Sequence, residues 1–126
     1  MSDLGIYELC AQAAYEVNRV YCLSIGEGPQ PHWEDTPEWY RCDYLKNTKI
    51  VINGSTPERN HECWLAIREQ EGWKYGPIKD PVKKEHPYML PYLDLPLEVR
   101  TKYALFITTI KSVFIECYRG ELVVLN

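Results

Sequence analysis

No stretch of this 126-residue chain approaches the run of about 18 apolar residues that a membrane-crossing helix needs, which excludes a helical pore or transporter. No Cys-x-x-Cys or His-x-x-x-His pair occurs, so the ligand spacing of a zinc site is missing. Gly-x-Gly-x-x-Gly, a phosphate-loop lysine pattern and Gly-x-Ser-x-Gly are also absent. That removes the sequence-visible routes to dinucleotide binding, nucleotide hydrolysis and serine catalysis. Nor is there an excess of positive charge: 14 Lys and Arg face 18 Asp and Glu, a net charge of -4. Such a balance repels polyphosphate at long range and argues against general nucleic-acid binding. Met1 to Gly5 lack the basic and apolar regions of a secretory leader, so the expectation is a cytoplasmic protein without membrane association.

With 45% hydrophobic and 25% charged residues, the composition is that of an ordinary globular domain, and the length predicts one domain over 1–126. The five cysteines, Cys10, Cys22, Cys42, Cys63 and Cys117, are odd in number and widely spaced among apolar or helical neighbours. They are expected to be reduced thiols packed in the core. Phenylalanine is scarce at 2 residues, against 4 Trp and 10 Tyr. The aromatic complement is therefore of the kind that joins an apolar face to a polar edge.

Along the chain, Ile6, Leu9, Cys10, Ala13, Val17, Val20 and Tyr21 predict a helix from Asp3 to about Ser24, capped by Ser2 or Asp3 and ended by Gly26 and Gly28. A Pro/Gly-rich loop follows, with Trp33 expected against the core. Thr36-Pro37-Glu38 and Thr56-Pro57-Glu58 are the same helix-entry signal, a hydroxyl cap before a first-turn proline and an acid. Between them, Lys49 to Ile52 is β-favouring and is expected as a brief strand or extended arm, with Asn53-Gly54-Ser55 read as a turn rather than a glycosylation site. The helix from Pro57 should stop at Gly72. Pro77, Pro81, Pro87, Pro91 and Pro96 exclude a long helix over 73–96 and leave an ordered aromatic-rich connection. Tyr103, Phe106, Ile107, Ile110, Val113, Phe114 and Cys117 predict the core helix, from Leu97 to about Arg119 and closed by Gly120. The tail Leu122 to Leu125 is expected as a strand or as a surface for a partner chain. The fold class is thus mainly α: about four helices, a few short strands and a long Pro/aromatic-rich ordered loop.

Chemistry concentrates in Gly72-Trp73-Lys74-Tyr75-Gly76-Pro77-Ile78-Lys79-Asp80-Pro81, then Lys83-Lys84-Glu85-His86-Pro87-Tyr88 and Pro91-Tyr92. Glycine lets the backbone turn tightly around bulky rings and proline stiffens it, so the rings can be held in place before a ligand arrives. Lys79, Lys83 and Lys84 add local positive charge, a combination suited to a planar phosphorylated ligand. The competing reading makes the rings core and the lysines a solvated face. His61 and Cys63, two apart on one helix, point to diverging faces and make no metal site.

His61-Glu-x-Trp64, Gly72-Trp73-x-Tyr75-Gly76-Pro77, Lys79-Asp80, Lys84-x-His86-Pro87 and Pro91-Tyr92 with Leu95-Pro96 resemble the RyR domain. This module is repeated in ryanodine receptors and also found alone in bacterial and phage proteins. The resemblance covers residues 56–118, with 1–55 similar to the helical extension of stand-alone members through Ala14 to Cys22 and Trp33 to Trp39. It implies a mainly helical fold with a few short strands and, because receptor modules pair around an aromatic-lined cleft that can hold an adenine nucleotide or drug-like ligand, a ligand-binding role. With one copy in the chain, a paired cleft requires a homodimer.

The expected function is non-enzymatic recognition of an adenine-type nucleotide or similar planar metabolite, with no cofactor and no metal. Trp64 and Trp73 would stack, Tyr75 and His86 would hydrogen-bond ring edges, and Lys79, Lys83 or Lys84 would meet phosphate. Tyr92 completes the ligand-binding set. The alternative is a protein-interaction or assembly module using the apolar tail and the Trp33 to Trp39 segment. Acid-base catalysis by Glu62, His61 or His86 is the weakest reading.

Overall fold

The computed structural model describes the backbone of residues 3–125 and the side chains of residues 5–118. Four helices and two short strands appear in the order α1 (Asp3–Ser24), α2 (Glu38–Ile52), α3 (Pro57–Gln70), β1 (Lys74–Tyr75), β2 (Glu85–His86) and α4 (Leu97–Leu125). The fold is mainly α, as the periodicities predict. Among the described residues no helix is long and apolar enough to cross a membrane. The chain divides into two compact units, one of residues 1–55 and 104–126 and the other of residues 56–103, so α4 contributes its first turns to the second and the rest to the first.

The first unit is built on helical stripes. Ile6, Cys10 and Ala14 from α1, Val51 from α2 and Ile107 and Ile110 from α4 form one buried cluster, with Tyr44, Phe106, Val113, Phe114 and Cys117 packed on it. Each fully buried aliphatic side chain contributes about 1.5–3 kcal/mol relative to exposure. Beyond α1, Gly26 takes φ 83°, a left-handed conformation that suits glycine and ends the helix. The chain then folds back, and Trp33 meets Tyr15 and Tyr44 with ring centroids 5.6 Å away in each case. Tyr15 Oη donates to the Pro31 carbonyl at 2.6 Å, and the Trp33 backbone N–H donates to Glu16 Oε1 at 2.9 Å. These bonds anchor the Pro/Gly-rich loop, with Trp33 against the core as expected.

Several local expectations are corrected. Lys49 to Ile52 is the last turn of α2, not a strand. Thr48 and Val51 are buried three residues apart on the face that carries Tyr44, and helical packing of that stripe overrides β propensity. Thr36 does not cap α2: its hydroxyl donates to the Trp33 carbonyl at 2.6 Å, closing a 3-10 turn over Trp33–Asp35, and α2 begins after Pro37 without a side-chain cap. Gly120 does not close α4, which runs to Leu125, so the tail is helix rather than strand. All five cysteines are free, but Cys42 and Cys63 are exposed; only Cys10 and Cys22 are buried. Burial, followed by the nearby Cys117, pushes the Cys10 thiol up to about 11, which fits a packing role. Of the two candidate α1 caps, Ser2 and the side chain of Asp3 lie outside the described residues.

In the second unit, Thr56 accepts a hydrogen bond from the Arg59 N–H at 3.2 Å and Pro57 takes the first turn of α3, as the entry signal predicts. Gly72 follows that helix at φ 91°. β1 and β2 pair in parallel, Lys74 opposite Glu85 and Tyr75 opposite His86. A 3-10 turn at Tyr92–Asp94 leads into α4. His61, Met89, Leu95 and Val99 are buried.

Ile110 is fully buried. Replacing it with Ala should lower unfolding free energy by about 2–5 kcal/mol in urea denaturation. A change under about 0.5 kcal/mol would show that this cluster does not hold the unit together. Glu16 carries a second prediction. Burial opposes its charge, yet Arg19 bonded at 2.7 Å and the Trp33 N–H outweigh burial and hold the carboxyl below its ordinary range. A depressed carboxyl stabilises the fold above its unfolded value, and that contribution is lost as pH falls through the folded value. Glu16→Gln should therefore flatten the acid limb of the melting-temperature profile.

Candidate functional site

The site begins with a buried histidine. His61 faces inward from the second turn of α3 and is fully inaccessible. Its Nε2 lies 2.6 Å from the Leu90 carbonyl, and its Nδ1 lies 2.9 Å from Tyr103 Oη. A carbonyl can only accept, so Nε2 carries the proton, and in the neutral ring Nδ1 accepts from the tyrosine hydroxyl. Burial, followed by the neighbouring Tyr92, pushes the Tyr103 phenol up to about 12, which keeps it a donor at neutral pH. One ring thus ties α3 to the Pro-rich segment and to the start of α4.

Trp64 lies one turn along α3 and stacks on the His61 ring at 5.6 Å with planes 23° apart. His86 meets the other side of this array, 5.1 Å from Trp64, 6.3 Å from Trp73 and 4.9 Å from Tyr88 between centroids. Tyr92 lies 6.4 Å from His61 and 6.1 Å from Tyr103. Trp73, His86, Trp64, His61 and the two tyrosines therefore form a continuous ladder of rings in edge, tilted and stacked contact. Each such pair contributes about 0.5–1.5 kcal/mol beyond its buried area.

A tight turn holds His86 in place. The Lys74 N–H donates to the Lys84 carbonyl at 2.9 Å and the Gly76 N–H to the His86 carbonyl at 3.3 Å, while Asp80 Oδ1 accepts from the Val82 and Lys83 N–H groups. Lys84 takes the left-handed φ of 54°. Gly76 is required by proximity, because a Cβ there would stand 2.5 Å from Glu85 Cβ. The Tyr88 N–H donates to His86 Nδ1 at 3.0 Å, leaving the ring proton on Nε2. Burial, then the positive charges of Lys79 and Arg68, hold the His86 imidazole below its ordinary value.

Of the eight residues read as ligand-binding, the structure gathers Trp64, Trp73 and His86 into one contact group and brings Lys79 close enough to act on His86. Tyr92 belongs to the same ladder at its His61 end. Tyr75 is 54% exposed and Lys83 is exposed on the turn. Lys84 is already engaged, its Nζ donating to the Glu71 carbonyl at 2.6 Å at the C-terminus of α3. Arg68, which the sequence reading passed over, pairs with Glu71 at 2.7 Å. None of the eight lines the depression of about 280 Å³ in the first unit. No cluster of three or more His, Cys, Asp or Glu able to hold a metal occurs among the described residues. The sequence reading also missed the central part played by His61 and Tyr103. The signal for it is a histidine at an inward-facing position of α3 within the His61-Glu-x-Trp64 motif.

The second unit is thus a small helical scaffold whose longest irregular segment holds indoles and imidazoles in contact. The comparison with protein families is specific: the family model of the RyR domain matches residues 45–118, more than half of the chain, and the chain belongs to that family. The match begins at Leu45, inside α2, rather than at residue 56.

His86 carries the prediction for this site. Its NMR titration midpoint should lie below 6.5, and Lys79→Ala should raise it. A folded value below the unfolded one means that the neutral ring's stabilising contribution is complete above the ordinary histidine range and is lost as pH falls through the folded value. A midpoint at or above 6.5 would show that His86 is solvated and outside the ladder.

Proposed function

We propose that the second unit is a non-enzymatic recognition module for a planar, phosphorylated small molecule such as an adenine nucleotide. The observation that carries this reading is the grouping of half-buried Trp64, Trp73 and His86 beside two cations, Lys79 and Arg68, that act on the imidazole. In this reading the base stacks on Trp73, with Trp64 backing the site from within the ladder, and the His86 Nε2–H donates to its edge. Lys79, with Lys83, meets phosphate. Lys84 is a positioning residue through its bond to the Glu71 carbonyl. Tyr75, exposed on β1, offers a further edge contact.

A single module in the chain and an α1 face bearing exposed Leu9, Val17, Val20 and Leu23 support a symmetric homodimer. Light scattering at high concentration should give twice the chain mass, and a monomer mass would remove this part of the reading. Five free cysteines support a reducing, cytoplasmic compartment.

Stacking on an aromatic side chain is worth about 1–3 kcal/mol. Trp73→Ala should therefore weaken nucleotide binding roughly tenfold to hundredfold while the domain still melts cooperatively. A thermal-shift panel of adenine and guanine nucleotides at millimolar concentration is the direct test. A shift of several degrees for one nucleotide class, lost in Trp73→Ala, is the expected result. No shift across the panel would overturn the reading in favour of an interaction module.

A further inference from the structure

A second feature lies wholly within the first unit. The depression of about 280 Å³ is lined by Glu8 from α1, Trp33 from the 3-10 turn, and Glu38, Arg41, Cys42 and Leu45 from α2. The four α2 residues follow helical spacing, so the depression is bounded on one side by a single helix face. Of its lining residues, Trp33 and Leu45 are half-buried, and Glu8, Glu38 and Arg41 are charged. Beside it, Trp39 is 69% exposed. An indole this exposed has little part in the core, and tryptophan is the side chain most enriched at the centres of protein interfaces.

Charge complementarity selects the occupant. Glu8 and Glu38, which line it, are exposed and make no ion pair among the described residues. Exposed Glu34, Asp35 and Asp43 surround the same helix start. Arg41, the one cation among the described lining residues, is turned into the fold: its Nη1 donates to the Thr36 carbonyl and, at 3.4 Å, to the Glu34 carbonyl. Lys46 and Lys49 lie further along α2, Lys49 resting 5.5 Å over the Tyr7 ring, so the acidic surface is confined to the helix's first turns. An aromatic lining residue, an exposed indole and unpaired carboxylates together fit a guanidinium or ammonium group carried on an aliphatic stem.

We propose that this surface docks a basic peptide segment of a partner protein, one Arg or Lys side chain entering the depression between Glu8 and Glu38 while a second stacks on Trp39. The site shares no residue with the nucleotide reading, and it stands or falls separately from it.

The test uses the full chain and octa-arginine as the probe, with octa-glutamate and spermidine as controls. The expected result is saturable calorimetric binding of octa-arginine below 1 mM, weakened at least fivefold from 50 to 300 mM NaCl. The Trp39 and Trp33 indole N–H signals should shift in the NMR spectrum. Trp39→Ala, and separately Glu8→Gln with Glu38→Gln, should each weaken binding at least fivefold, whereas Glu69→Gln with Glu98→Gln, which removes two carboxylates elsewhere, should leave it within twofold. Circular-dichroism melts establish that the variants fold, and the exposure of all five substituted side chains makes that the expected outcome. Absence of binding up to 1 mM, equal loss on removal of the remote carboxylates, undiminished binding by folded Trp39→Ala, or spermidine binding as tight as octa-arginine would each overturn the proposal.

Discussion

The buried imidazole of His61 is the constraint on which the second unit depends. Both ring nitrogens are committed, one to a backbone carbonyl in the Pro-rich segment and one to a phenol at the start of α4. Neither partner can be removed cheaply, because an unsatisfied polar group in such a site costs about 1–3 kcal/mol. An irregular segment with only a two-stranded pairing of its own has few backbone bonds to fix it. The bond to Leu90 supplies a fixed point in the middle of that segment, and the 3-10 turn and α4 follow from there.

Fixing His61 also fixes what stacks on it. Trp64 is held by that ring on one side and by His86 on the other, and His86 is held in turn by the Tyr88 N–H and by strand pairing around Gly76. Rings restrained this way have little conformational freedom left to lose. Depression of His86 belongs to the same economy of form: a neutral imidazole packs against two indoles, whereas an imidazolium beside Lys79 and Arg68 would be opposed by both.

The elements legible in the sequence are those whose signals agree at every level. α1 has an unbroken stripe, α3 has a hydroxyl cap followed by proline, and Gly26 and Gly72 end helices with the positive φ for which glycine is suited. Misreadings arose where local chemistry had two outlets. Thr36 and Thr56 stand before identical dipeptides, yet Thr36 spends its hydroxyl on the Trp33 carbonyl because the preceding chain closes a 3-10 turn, which no pattern around Thr36 reveals. Lys49 to Ile52 is β-branched enough to resemble a strand, but Val51 continues the buried stripe of Tyr44 and Thr48. For the site, the aromatic and basic residues of the 72–92 segment were readable as a group. The role of His61 was not, since its partners lie 29 and 42 residues away in sequence.

Charge is where whole-chain arithmetic misleads most. The net charge of -4 suggests a protein that repels anions throughout, but residues 56–103 hold eight basic and eight acidic side chains, so the entire excess of acid falls in the other unit. Screening confines such fields to about 8–10 Å at physiological ionic strength, so the field at the aromatic ladder is set by Lys79, Arg68 and their neighbours and not by the chain total. The acidic first turns of α2 are likewise felt only by what touches them. One chain can therefore present a surface suited to anions and another suited to cations without contradiction, because at these distances local arrangement, not net charge, decides which partner is attracted.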